Sequence, residues 1–213
     1  MKYQLLSLTA LAAFTGVTSA IKYGNVRIVK IAPEFRTAES PRSTRVLVKF
    51  GPYGVPAYDE NATEDSIYEV HWHKNVTKPC SDCVLKYVSA SLVNRDGSRA
   101  TADTGAYMEG LTLSVEGQGK VDVVCPDYSL GQRILYTKGS SNSSSGRSVL
   151  FSKAASTGYY LSKEDKMSMI LEMQNEADDP KEVFLHLTFE YHPGKPANLI
   201  PAPERTIRFP CQQ

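Results

Sequence analysis

"EVFLHLTFEY", residues 182–191, alternates without a break. In an extended chain Val183, Leu185, Leu187, Phe189 and Tyr191 fall on one side, and Phe184, His186, Thr188 and Glu190 on the other. A strand with this period offers one face to a core and leaves the other mostly wet. No helix of similar length explains the pattern, because a helical face repeats every three to four residues rather than every two.

The same pattern spreads outward from this stretch. Runs rich in Val, Ile, Leu, Tyr and Thr predict further strands at 25–31, 45–50, 67–73, 83–93, 106–116, 120–125, 132–137, 158–161, 167–174 and 205–209. Turn residues separate them: Asn94-Arg-Asp-Gly97 and Glu116-Gly-Gln-Gly119 supply Gly or Asn where tight turns need positive φ, and Ala177-Asp-Asp-Pro180 breaks the chain before the final strands. Two stretches read as loops, 51–65 with its prolines and the serine-rich 139–148. Helical periodicity is scarce and no repeat or long linker divides the chain, so the expectation is one all-β domain, a sandwich or barrel.

Residues 1–20, MKYQLLSLTALAAFTGVTSA, have the layout of a secretory leader: Lys2, an apolar run, then small residues ending at Ala20. The expected product is a secreted, extracellular domain over residues 21–213. The chain holds 24 basic and 23 acidic residues, one of the basic ones being Lys2, so the mature part is electrically balanced. A balanced chain without a basic block has no means of neutralising phosphates, which argues against nucleic acid and membrane partners.

Four cysteines, Cys80, Cys83, Cys125 and Cys211, suit an oxidising compartment and predict two disulfides. Three pairings are open. Cys83–Cys125 is preferred, since these residues open and close neighbouring strand-like segments, leaving Cys80 for Cys211. Sequons at Asn61, Asn75 and Asn142 lie in polar stretches and predict a glycoprotein.

Chemistry-bearing residues are few. On the 67–73 strand, Tyr68, Val70 and Trp72 share one face, and Glu69, His71 and His73 the other. Two imidazoles at i and i+2 can hold one copper or zinc ion if a third ligand comes from elsewhere, and His186 or His192 is the candidate. The plainer expectation buries the aromatic face and leaves the histidine face merely polar. Cys80-Ser-Asp-Cys83 has redox spacing, but "VLKYVSASLV" after it is strand-like, whereas redox chemistry wants the first cysteine at a helix N-terminus. No G-x-S-x-G, H-E-x-x-H or phosphate-cradling glycine loop occurs, so no catalytic residue is assigned.

The segments "CSDCVLKYVSASLVNRDGSRATADTGAYMEGLTLSV", "QRILYTKGSSN" and "TGYYLSKEDKMSMILEMQNEADDPKEVFLHLTFEYHPG" together resemble fungal secreted proteins related to the copper type II, ascorbate-dependent monooxygenases, the peptidylglycine α-hydroxylating group. The resemblance covers residues 80–194. It implies a jelly-roll β-sandwich of two antiparallel sheets. It also implies a histidine pair after the Gly-x-Tyr-Met strand. The matching positions here are Glu109 and Gly110, so that pair is lost. With the histidine pair of that group missing, no cofactor is expected, and copper is the one candidate. A second kind of copper site in the group is similar to His-x-His plus methionine, and His71-Trp-His73 with Met108, Met167, Met169 and Met173 supplies the same donor types. The leading expectation is a non-catalytic module binding a cell-wall polymer or an extracellular protein. The alternative is a copper-binding protein or copper-dependent oxidoreductase built on His71 and His73.

Overall fold

The computed structural model describes residues 26–35, 42–61, 68–118, 120, 132–138, 148–151, 154 and 156–201, with 132–138 described by backbone alone. The leader 1–20, the expected strands 120–125 and 205–209, and Cys125, Cys211 and Asn142 lie outside these residues, apart from the position of Lys120.

The chain forms β1 (Arg27–Ile31), β2 (Thr44–Val55), β3 (Glu69–Val76), β4 (Cys83–Asn94), a 3-10 turn at Ala102–Thr104, β5 (Ala106–Glu116), β6 (Gln132–Lys138), β7 (Ser148–Leu150), β8 (Thr157–Leu161), β9 (Lys166–Asn175), β10 (Lys181–Pro193) and β11 (Ile200–Pro201). One sheet runs β1-β2-β10-β4-β8-β11, with β7 also on β4, and the other runs β3-β9-β5-β6. All pairings are antiparallel except the two-residue contact of β8 with β11. This is a β-sandwich, one of the two architectures that the alternating strands allow.

The core lies between the sheets. Val183, Leu185, Leu187 and Phe189 of β10 are fully buried and meet Met167, Met169, Leu171 and Met173 of β9 together with Leu111, Leu113 and Val115 of β5 in one apolar cluster. Each element supplies every second residue, as period-2 strands must.

Four expectations need correction. Residues 51–55 are not loop: β2 continues through Gly51 to Val55, because Gly51 at φ 121 sits at a register shift that lets the strand go on. Ser148 and its two followers form β7 rather than closing the serine-rich loop. The outer face of β10 is not wet at Glu190, which is completely buried. Its carboxylate accepts hydrogen bonds from Glu34 N (2.9 Å), Phe35 N (2.9 Å) and Ser43 Oγ (2.6 Å), so the segment before β2 covers it. Finally, Cys80 is bonded to Cys83, not to Cys211, and Cys83 is not bonded to Cys125. Asp82, at φ 53, turns the chain so that the two Cα atoms stand 6.2 Å apart, inside bridging range. Gly194 N donates to Asp82 O, and Tyr160 Oη to Asp82 Oδ1, holding that turn.

Candidate metal centre

β3 pairs with β9 in register, Glu69 with Met173, His71 with Leu171 and His73 with Met169. Residues directly opposite in an antiparallel pair share a face. Met169, Leu171 and Met173 face the core, so Glu69, His71 and His73 face it too. Trp72, Val70 and Tyr68 are driven outward. The plainer expectation of a buried aromatic face is thus reversed, because pairing in register with the buried Met169-Leu171-Met173 face of β9 fixes which side of β3 turns inward.

A residue from the opposite sheet meets the pair. The shift at Gly51 changes the phase of β2: Val46, Val48 and Phe50 point inward before it, and Tyr53 and Val55 after it. Without the extra residue Tyr53 would share the outer face with Leu47 and Lys49. Instead its hydroxyl lies 3.2 Å from His73 Nε2, and its ring centre 4.9 Å from that of His71 and 5.7 Å from that of His73. Read from sequence, Tyr53 belongs to the 51–65 loop and is not placed with the histidines; the alternation of Tyr53 and Val55 signals a strand there but not which way Tyr53 faces.

Burial, and then the neighbouring charge of His71, lower the pKa of His73, so its imidazole is neutral at neutral pH. That is the form which binds metal. His71 Nε2 is shielded from water without a hydrogen-bond partner among the described residues, and its nearest charged group is Glu69 Oε1 at 3.3 Å. A buried ring nitrogen left in this state is unfavourable unless something binds it.

The rings of His71 and His73 have centres 6.1 Å apart and planes 19° apart. With metal–nitrogen bonds of about 2.0–2.1 Å, and about 1.1 Å more to each ring centre, two rings sharing one ion have centres at most about 6.4 Å apart. The pair falls inside that limit, at its wide end, so the separation of the two rings is compatible with a shared ion. Met169 stands beside His73 in the register, where Cβ atoms are about 4.5–5.5 Å apart. Among the described residues no three His, Cys, Asp or Glu side chains gather, and the other donor types near the pair are the Met169 thioether and the Tyr53 hydroxyl. Two imidazoles with a thioether make a donor set suited to copper, the softer Cu(I) above all.

The other two histidines stand elsewhere. His186 lies on the outer face of β10, opposite Lys49 of β2 and Ser91 of β4. His192 lines a cavity of about 500 Å³ with Ser156, Lys195 and Asn198. The structure therefore brings together His71 and His73 and places neither His186 nor His192 with them. At the positions where the resemblance implies a second histidine pair, β5 carries a register irregularity between Met108 and Gly110. The Glu172 carboxylate occupies the space a side chain at 110 would need: a Cβ there would stand 2.1 Å from Glu172 Oε2.

Against known proteins, the chain is 24% identical over 169 residues to a protein of a Phoma species named "Probable copper-dependent oxygenase M1". The match covers 76% of this chain and 41% of that one, so the chain spans about two fifths of its relative's length. No protein-family model matches the chain. No solved structure matches it either.

Proposed function

We propose that this chain is an exported copper-binding protein of the oxygenase-like group, holding one copper ion between His71 and His73 with Met169 as the soft third donor. One observation carries the reading: the two imidazoles face the interior beside a row of methionines, with His71 Nε2 buried, without a hydrogen-bond partner among the described residues and with the Glu69 carboxylate 3.3 Å away. The similarity to a copper-dependent oxygenase supports it. So does the Cys80–Cys83 disulfide, which suits an oxidising compartment, and the exposure of the sequon residues Asn61 and Asn75 suits glycosylation.

The chain's own residues would divide the work simply. His71 and His73 bind, Tyr53 orients His73 through its hydroxyl and shuts the site toward the opposite sheet, and the apolar side chains around Leu171 exclude water. Copper held there supplies one-electron redox chemistry. With Glu109 and Gly110 in place of a second histidine pair, the reading is of a single-copper protein.

Calorimetric titration of the deglycosylated protein with Cu(II), and with Cu(I) under argon, tests this. Binding at one ion per chain is expected, abolished in a His71→Ala/His73→Ala double variant. Met169→Leu should weaken Cu(I) more than Cu(II), since it removes the thioether while nearly conserving volume. No binding, or binding that survives the double variant, overturns the proposal.

A further inference from the structure

The sheet that turns its histidines inward has an outer face of a different character. Register sets it out in rows across β3, β9 and β5: Trp72 with Ile170 and Thr112, Val70 with Glu172 and Gly110, and Tyr68 continuing the row of Gln174 and Tyr107. Successive rows lie about 7 Å apart along the strands, and neighbours within a row about 4.8 Å apart. Trp72 is 67% exposed, Val70 42% and Tyr68 36%. Three large apolar side chains in line along β3 and the residue before it, including the chain's single tryptophan, are an interaction surface rather than scattered exposure.

Polar groups fill the spaces between the rings. Tyr107 Oη donates to Gln174 Oε1 at 2.6 Å, which fixes the amide beside the aromatic rows. Gly110 has no side chain to lift Glu172 off the sheet, so the Glu172 carboxylate lies flat between the Trp72 row and the Tyr68 row. Burial, and then the Glu176 charge, raise the pKa of the Tyr107 hydroxyl and keep it protonated, so a second carboxylate flanks the same end.

This chemistry selects among partners. The Glu172 carboxylate at the centre, with Glu176 at one end, disfavours anionic polymers and anionic lipid headgroups. A peptide adding itself to the β3 edge would meet Asn75 at φ 54 and the break in register between His73 and Val76, which interrupt the ladder that such a partner needs. A ligand with apolar ring faces and many hydroxyl donors matches this mixture of exposed rings and polar groups. We propose that the outer face of this sheet, with Trp72 and Tyr68 as stacking platforms and Glu172 and Gln174 as hydrogen-bonding partners between them, docks a neutral polysaccharide. The surface stands independently of the copper site, on the opposite side of the same strands.

The single tryptophan is its own reporter. Titration with cellohexaose, laminarihexaose and xylohexaose, followed by Trp72 emission and acrylamide quenching, should give a saturable blue shift and protection with at least one of the three. Tyr68→Ala should weaken that binding about ten-fold or more, measured by the same emission, and Glu172→Ala should weaken it as well. Trp72→Ala should abolish retention on the matching insoluble glucan or xylan with its circular dichroism unchanged. The His71→Ala/His73→Ala variant should bind sugar normally, which separates this proposal from the copper reading. Emission indifferent to all three sugars, or retention unaffected by Trp72→Ala, overturns it. So does emission that shifts with protein concentration alone, since the occupant would then be a second copy of the chain.

Discussion

At the scale of single residues, His186 and Gly51 allow sharp tests. His186 is half-buried between Lys49 and Ser91, and desolvation, then the Lys49 charge, lower its pKa. The unfolded chain therefore takes up a proton at His186, near the ordinary value of about 6.5, before the folded chain does. Stability is fully present above that pH and declines as pH falls toward the lower folded value. Urea midpoints measured from pH 8 to pH 5 should fall less steeply for His186→Gln than for the parent. Gly51 makes a different prediction, because its φ of 121 is strained for any side chain and a Cβ there would stand 3.1 Å from Phe184 Cδ1 and 3.2 Å from Val183 O. Gly51→Ala should cost about 1–3 kcal/mol in urea unfolding. Gly54→Ala, in the same strand with nothing within 4 Å of the new methyl, should change stability little.

At the scale of elements, strand existence was legible and strand facing was not. The expected 106–116 matches β5 at both ends, and β9 and β10 extend their expected spans by one or two residues on each side. Local alternation is enough to reveal that a strand has two faces. It does not say which face turns inward when both carry rings, as in β3, where the plainer expectation puts Trp72 inside and the structure puts His73 there. Pairing with the Met-Leu face of β9 decided that, and with it whether the histidines form an interior site. The Cys80–Cys83 bridge belongs to this scale too. It closes a loop of four residues at the start of β4, so the chain-entropy model allows it only about 2 kcal/mol. Cys80→Ala/Cys83→Ala should accordingly lower the urea midpoint modestly and leave the fold intact.

At the scale of the whole molecule, Glu190 ties distant segments together. Its carboxylate receives Ser43 Oγ, 147 positions earlier in the chain, and the backbone of Glu34 and Phe35, 156 and 155 positions earlier, with Arg45 Nη1 3.9 Å away. Glu190→Ala would take the acceptor from the buried Ser43 hydroxyl and the part-buried Glu34 and Phe35 amides, and should cost about 2–3 kcal/mol by equilibrium unfolding. Protection of the amides of Glu34 and Phe35 against hydrogen exchange should be lost in the same variant. Sequence reading put Glu190 on a wet face because alternation describes one strand, whereas the cover over that face comes from chain more than a hundred residues away. What the sequence determined by itself was everything that follows from period and composition: strand class, most strand spans, the apolar stripes of β9 and β10, and the donor types at His71 and His73. The tertiary structure alone decided the phase change at Gly51 that delivers Tyr53, the inward turn of the histidines, the outward turn of Trp72 and the bridging of Cys80 to Cys83. These depend on which strand lies alongside and on one inserted residue, and no local pattern carries that information.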